Sequence, residues 1–466
     1  MMQTLVSSQT RMQLAAFVAV AFSLTACTNG GGSPAVSPNL LPAAHPQMLQ
    51  RRATTGPTYI QHVVIVIQEN RTFDDLFATY PGADGATEGK MSTGQTIPLQ
   101  PVPLNYVTLS NGWSSYVTAY DNGKMDGFNL MHLQGHGRAG KVPYTYVIPN
   151  KVKPYWAMAQ QYALADHMFQ GQGSGSFTAH QELIAGGEQI DATHALVNWP
   201  APPKPESYAW GCDAPSGTVT SLITQNNQFE SKVGPFPCLT YSSGTLADQL
   251  DQKSISWKFY SGLLKLGGAG YMWNSFEAIN NVRYGPDWKN DISTPSTAFL
   301  QDVKNNKLAS VTWVTPSVPD SDHEYGGPDH GPSWVAQVVN AVGKSKFWDT
   351  SAVIIVWDDW GGHYDHEPPQ QFGYGNLGFR VPLLVVSPYV HAGVISHTPY
   401  EFGSILKFVE DNWGLQPMQA QDRRATSIAD IFDFTQKPRA FEPIPAELPL
   451  SYFEHEPPTN YPPDGE

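Results

Sequence analysis

The residues best suited to chemistry in this sequence are two acidic pairs, each following an apolar run. Val63-Val64-Ile65-Val66-Ile67 leads through Gln68 to Glu69-Asn70, and Ala352-Val353-Ile354-Ile355-Val356-Trp357 leads to Asp358-Asp359. Unbroken β-branched runs read as strands buried on both faces. Carboxylates at the end of such a strand repel each other and resist desolvation unless a cation compensates them. Taken together, Glu69, Asn70, Asp358 and Asp359 make an anionic, all-oxygen set suited to one divalent metal ion of hard or borderline type. Either pair alone is more simply a polar strand end that caps a helix.

A hydroxyl completes the set. Gly171-Gln172-Gly173-Ser174-Gly175-Ser176 runs into Phe177-Thr178-Ala179-His180-Gln181-Glu182-Leu183-Ile184-Ala185-Gly186, which can be helical. A serine at a helix N-terminus is surrounded by amide donors and a positive dipole, which favour an alkoxide and a bound phosphate. The bland alternative is a flexible Gly/Ser loop. The loop is not the nucleophile elbow of serine esterases, and no Ser-His-Asp order accompanies it. A metal would have to activate this serine, which ties it to the acids.

Strands and helices must bring these pieces together. Further apolar runs lie at 255–260, 310–315 and 381–386, with helical patterns at 245–253 and 332–344 between them. Alternation of this kind predicts an α/β fold with a mainly parallel central sheet and helices on both faces. Ligands of such sheets sit beyond the carboxyl ends of the strands, where both acidic pairs fall. No internal repeat is present, and the proline-rich stretch after Gln436 reads as a loop-rich wrap over a single domain, 59–466.

Composition narrows the partners. Of 466 residues 41% are apolar and 15% charged, with a net charge of −14. No Lys/Arg cluster is present, so neither nucleic acid nor an anionic membrane surface is an expected partner. At the N-terminus, Arg11 precedes the apolar stretch Leu14 to Leu24 and then Thr25-Ala26-Cys27. This reads as a signal peptide over 1–26, too short to span a membrane as a mature helix. Leu24-Thr25-Ala26-Cys27 also resembles a bacterial lipobox, with Cys27 acylated and 27–58 a flexible tether. With Thr28 next, the expected place is the outer membrane of the cell envelope. Arg51-Arg52 lies downstream of Cys27, so it is no twin-arginine signal. In an exported chain the remaining pair, Cys212 and Cys238, reads as a disulfide more readily than as two buried thiols. Closing that loop is worth roughly 3.5 kcal/mol in the chain-entropy account.

Several long motifs carry a resemblance. His62 to Phe77, Lys124 to Phe128, the Gly-Ser-Gly-Ser-Phe loop, Ser321-Asp322-His323, 331–341, Trp357 to Pro369 and 380–390 resemble the bacterial phosphoesterase family of acid phosphatases and phospholipases C. The resemblance implies an alkaline-phosphatase-like fold and a metal held by Glu69, Asn70, Asp358 and Asp359, with a Ser or Thr nucleophile. Matching Leu183-Ile184-Ala185-Gly186 and the His before it places that nucleophile at Ser176, with Ser174 as the alternative. It also implies that His323, Lys124 and His366 face the phosphate. One departure stands out: relatives carry a His where this chain has Ser110-Asn111-Gly112-Trp113, which leaves the leaving-group acid open. Arg71 is expected to pair with Asp74 or Asp75, while His132, His136 and His330 read as exposed or structural. The resulting expectation is an exported, lipid-anchored, metal-dependent phosphoesterase working through a phosphoseryl intermediate. Phosphomonoesters come first as substrates and phospholipids second. The contrasting expectation is an inactive lipoprotein that binds a phosphorylated or glycan ligand.

Overall fold

The computed structural model of this chain describes residues 59–457 and 459, except 108, 134–135, 205–209, 264–272, 325 and 374–375. Cys27, the signal segment and the tether lie outside the described residues. No helix among the described residues is long and apolar enough to cross a membrane.

Eight strands form the central sheet: β1 (His62–Gln68), β2 (Ala163–Ala165), β3 (Trp257–Tyr260), β4 (Ile292–Ser293), β5 (Val311–Val314), β6 (Ser351–Trp357), β7 (Leu383–Val386) and β8 (Val394–Ser396). Their spatial order is β4-β3-β5-β1-β6-β7-β2-β8. All run the same way except β7, which is antiparallel to both β6 and β2. The apolar run at 381–386 therefore forms a strand, but one reversed relative to its neighbours. The chain between β6 and β7 contains no crossover helix among its described residues, so β7 starts from the edge where β6 ends.

The helices used below are α1 (Phe73–Phe77), α2 (Trp113–Tyr120), α3 (Lys153–Gln161), α4 (Ser176–Ala185), α5 (Leu246–Gln252), α6 (His330–Gly343), α7 (Phe402–Trp413) and α8 (Leu450–His455). Two tryptophans show that they cover both faces. Ile65 lies in register with Trp313 on one side and Ile354 on the other, so Trp313 and Ile354 share a face. Trp357, three residues after Ile354, therefore points to the opposite face. Trp313 Nε1 donates to the Leu183 carbonyl of α4, whereas Trp357 meets the Tyr155 ring of α3 edge-on at 4.9 Å. α6 packs beside α3, and α7 and α5 beside α4. The proline-rich C-terminal stretch runs along α6, with Asn340 bonded to the Ile444 carbonyl and Gln337 to that of Leu448.

Asp322 ties the layers together at the carboxyl edge. Its Oδ2 accepts from Tyr155 Oη and Trp357 Nε1, both at 2.8 Å, and its backbone N–H donates to Gln68 Oε1 at 3.0 Å. Burial pushes the Asp322 carboxyl up to about 6, against the pull of the Tyr155 bond and the Arg71 charge.

The reversed strand has its own consequence. Arg380, just before β7, is delivered to the same edge and is fully buried. Its guanidinium donates to Asp365 Oδ1 at 2.9 Å and to the carbonyls of Asp84 and Asp166 at 2.8 Å, and reaches Asp74 Oδ1 at 3.4 Å. It also lies over the Phe73 ring of α1 at 4.8 Å.

Two stability predictions follow from these contacts. Arg380→Ala strips Asp74 and Asp365 of their guanidinium partner and should cost about 3–5 kcal/mol, read by chemical denaturation. For Asp322 the raised folded pKa means that the native state binds the extra proton between about pH 4 and 6, so its contribution is present at low pH and lost as pH rises. Asp322→Asn, which keeps an oxygen acceptor, should therefore gain on the wild type from pH 4 to pH 7 by up to about 3 kcal/mol. Melting temperatures of the two proteins across that range check it; a constant difference would contradict it.

Candidate active site

The register of β1 against β6 builds the centre. Gln68 pairs with Trp357, so the next residues of both strands, Glu69-Asn70 and Asp358-Asp359, emerge side by side. The Asp358 N–H donates to the Gln68 carbonyl at 2.9 Å, continuing the ladder one step beyond the strands. In return the Asn70 N–H donates to Asp358 Oδ1 at 2.9 Å, with Asn70 in the left-handed region at φ 59°. Gly361, also left-handed at φ 59°, presses against this turn: a Cβ there would lie 2.2 Å from the Asn70 carbonyl oxygen. Only glycine fits, and its N–H donates to Asp359 Oδ1 at 2.7 Å.

Helix α4 supplies the other side. Ser176 is its first residue, after Gly175 at the N-cap, and its Oγ donates to Asp359 Oδ2 at 3.1 Å. Four residues on, on the same helix face, His180 Nε2 lies 3.1 Å from Glu69 Oε1 and 3.6 Å from Asp358 Oδ2. Glu69, His180, Asp358, Asp359 and Ser176 are all fully buried. Asn111, immediately before α2, donates to both Asp359 oxygens at 2.9 Å. His180 and Asn111 are site residues to which the motifs gave no role: His180 served only to align the nucleophile, and Asn111 stood only as a departure from the family pattern. The i, i+4 spacing from Ser176 was the available signal for His180, and nothing in the sequence placed Asn111 against Asp359. Ser174 is held differently, its Oγ accepting from the Asn198 N–H at 2.8 Å.

The electrostatics are compatible with a cation. Burial, reinforced by the charge of Glu69, drives the Asp358 carboxyl well above its ordinary range, with His180 opposing. Asp358 Oδ2 is buried without a hydrogen-bond donor. Glu69, His180 and Asp358 each offer an atom within 4.8 Å of the others, a donor set that fits a divalent metal ion.

A narrow cleft is lined by Asn70, Arg71, Val107, Leu109, His323, Glu324, Gly361 and His363. The Arg71 guanidinium is buried and bonded to Asp75, the Leu104 carbonyl and the Asp322 carbonyl, so Asp75 is the acid that meets it. Its Nη1 also lies 2.6 Å from His363 Nε2. Since a guanidinium only donates, His363 Nε2 accepts and the ring hydrogen sits on Nδ1, facing Asp75 Oδ1 at 3.5 Å. Burial, then the charges of Arg71 and His323, hold His363 well below the usual histidine range, and it is neutral.

Two residues expected at the phosphate do not line this cleft. Lys124 is exposed and pairs with Asp121 at 2.8 Å. His366 Nδ1 lies 2.7 Å from Asp74 Oδ2, within reach of Arg380. Burial lowers the His366 pKa, but the Asp74 bond and the Asp74 and Asp365 charges outweigh it and raise it to about 9. Of the expected histidines, His330 opens α6 and His132 is exposed. Cys212 and Cys238 are joined in a disulfide, closing a loop that contains the strands 219–224 and 229–230 of a small antiparallel sheet.

The chain is similar to several known proteins. The hemolytic phospholipase C of Pseudomonas aeruginosa is 22% identical, across 84% of this chain and 59% of its own length. The non-hemolytic phospholipase C of Burkholderia pseudomallei is 24% identical, across 83% and 61%. Phospholipase C B of Mycobacterium tuberculosis is 23% identical, across 83% and 80%. The chain thus spans about three fifths of the length of the first two. Among solved structures, a Vibrio parahaemolyticus protein in the alkaline phosphatase superfamily aligns with a TM-score of 0.37 at 10% identity, covering 80% of this chain and 76% of its own. The phosphonate monoester hydrolase of Agrobacterium radiobacter aligns at 0.39 and 10% identity, covering 82% and 79%. The Phosphoesterase family model matches residues 60–416, well over half of the sequence, and the chain belongs to that family.

Proposed function

We propose that this chain hydrolyses phosphate esters through Ser176, with small phosphomonoesters as its first substrates. The observation that carries this reading is the Ser176 hydroxyl at the start of α4, 3.1 Å from Asp359 Oδ2 and set among Glu69, His180 and Asp358. An inactive binding module has no need of a nucleophile placed among buried acids.

Glu69, Asn70, Asp358, Asp359 and Ser176, together with His180 between Glu69 and Asp358, would hold one divalent ion. When bound, such an ion supplies positive charge to the phosphoryl oxygens and acidifies the serine hydroxyl. The protein groups do the rest. Asn111 fixes the Asp359 carboxylate through both oxygens, and Asp359 Oδ2 orients Ser176 Oγ and holds its proton. The amide groups at the start of α4 face the incoming phosphate with the positive end of the helix dipole. Ser176 Oγ bonds to phosphorus as the bond to the leaving-group oxygen breaks in line, and His323, on the cleft wall, gives that oxygen a proton. Water then cleaves the phosphoseryl bond and regenerates the hydroxyl.

The small cleft, walled by Arg71, His323 and His363, favours a compact polar ester. A phospholipid headgroup is the second reading, supported by the phospholipase C relatives and by the apolar Val107 and Leu109 on the wall. The same reading has the chain exported and acylated at Cys27, so Cys27→Ser should move it from the membrane fraction to the soluble one.

Ser176→Ala should leave the melting temperature in place and lower kcat by about 10³-fold or more; more than a few per cent residual rate would overturn the nucleophile. Asp358→Asn and Glu69→Gln should each lower bound metal, counted by elemental analysis, together with turnover. Chelated wild type that kept full activity would refute the metal. The substrate order is checked by kcat/KM: a value for phosphatidylcholine ten times that for soluble monoesters, about 1.4 kcal/mol, would reverse it.

A further inference from the structure

A second set of metal-ligating side chains lies outside the site just described. Asp320, on the turn after β5, His330, the first residue of α6, and Glu456, the residue after α8, each present an atom within 4.8 Å of the other two. Asp320 is 3% exposed. Its Oδ1 and His330 Nδ1 face each other at 3.5 Å, both buried and neither in a hydrogen bond. A simple imidazolium–carboxylate pair would close to about 2.7–2.9 Å. Two atoms each about 2.05 Å from a tetrahedral ion lie about 3.3 Å apart, close to the spacing seen.

The remaining atoms of both ligands are fastened elsewhere. Asp320 Oδ2 accepts from Ser317 Oγ at 2.8 Å, and His330 Nε2 lies 3.4 Å from Tyr452 Oη, the Tyr452 ring meeting the imidazole edge-on at 5.1 Å. A neutral His330 with its hydrogen on Nε2, directed at Tyr452, would turn the Nδ1 lone pair towards Asp320. This is how a protein orients a ligand histidine and a ligand carboxylate from behind. The Asp320 backbone is fixed too, its carbonyl accepting from Gln68 Nε2 at 3.1 Å.

We propose that Asp320, His330 and Glu456 form a second metal site, for a divalent ion of the zinc type with its fourth position open to water. One imidazole and two carboxylates suit such an ion better than calcium or magnesium, which take oxygen ligands in larger number. The ion would fasten the C-terminal segment, at Glu456, to the turn that carries His323 three residues after Asp320. The site shares no residue with the proposed catalytic set and stands or falls independently of it.

The test uses the full-length chain with Asp358→Asn, which silences the catalytic set. After equilibration with Zn2+ and removal of the excess, elemental analysis should find one zinc per chain. Adding His330→Gln or Glu456→Gln should bring the count close to zero. Cobalt in place of zinc should show the visible bands of a four-coordinate ion, lost in the same variants. Zinc should raise the melting temperature of the Asp358→Asn protein but not that of Asp358→Asn with Glu456→Gln. Because Glu456 is half-buried and lies past α8, its replacement is expected to leave the fold in place. No zinc on the Asp358→Asn protein, or an equal count with and without His330 and Glu456, would overturn the site.

Discussion

The register between β1 and β6 is the constraint on which the centre depends. Once Gln68 pairs with Trp357, the chain must place Glu69 and Asp358 within a few ångströms of each other at the end of two buried central strands. Isolated buried carboxylates are among the costliest groups a fold can hold. The backbone relieves part of the cost: the Asn70 and Asp359 N–H groups both donate to Asp358 Oδ1, and the Gly361 N–H to Asp359. Those bonds require the left-handed turns at Asn70 and Gly361 and leave no room for a side chain between them. The glycine at 361 is thus a consequence of where the acids must sit.

The acids at this edge are not all treated alike. Asp75 is met by Arg71, and Asp74 and Asp365 by Arg380, so those charges are settled by protein cations. Glu69 and Asp358 are met by His180, whose single imidazole is shared between them. The difference divides the edge into a neutralised rim and a centre poised for an added positive charge. The reversed β7 makes the rim possible, because only a strand that begins at this edge can bring Arg380 to it. A parallel β7 would have put that arginine at the far end of the sheet.

Much of this was legible in the sequence, for physical reasons that can be named. Strands buried on both faces must be apolar throughout, so the runs at 63–67 and 352–357 announced themselves and their acidic ends with them. Helix α4 followed from the glycine loop and the residues after Ser176, and an even cysteine pair in a chain with an export-like N-terminus pointed to the disulfide that joins Cys212 and Cys238. The direction of β7 was hidden, because a run such as Leu383–Val386 reads the same in either orientation. Asn111 was hidden because its place beside Asp359 depends on a loop 248 residues away in sequence. Lys124 and His366 sit in motifs that invite a role at the phosphate, yet local partners, Asp121 and Asp74, decide where their charges go. Motif identity carries no information about which neighbour claims a side chain.

The Ser110–Trp113 stretch, where the family resemblance implies a histidine, can be weighed against these contacts. An amide donates two hydrogens and holds no exchangeable charge, so Asn111 can brace Asp359 but cannot protonate a leaving group. Two histidines line the cleft. His363 is fixed as an acceptor by the Arg71 guanidinium, and burial with that nearby charge keeps it neutral, so its Nε2 has no proton to give. In the proposed reaction His323, the other imidazole on the cleft wall, is the group assigned to carry a proton to the departing oxygen. Its position is set by the Asp322 anchor beside it, which is bonded to Tyr155, Trp357 and Gln68 at once. In the proposed reaction the roles are thereby divided: an uncharged residue orients the carboxylate next to the nucleophile, and the proton comes from a turn rooted in the sheet that also carries the acids.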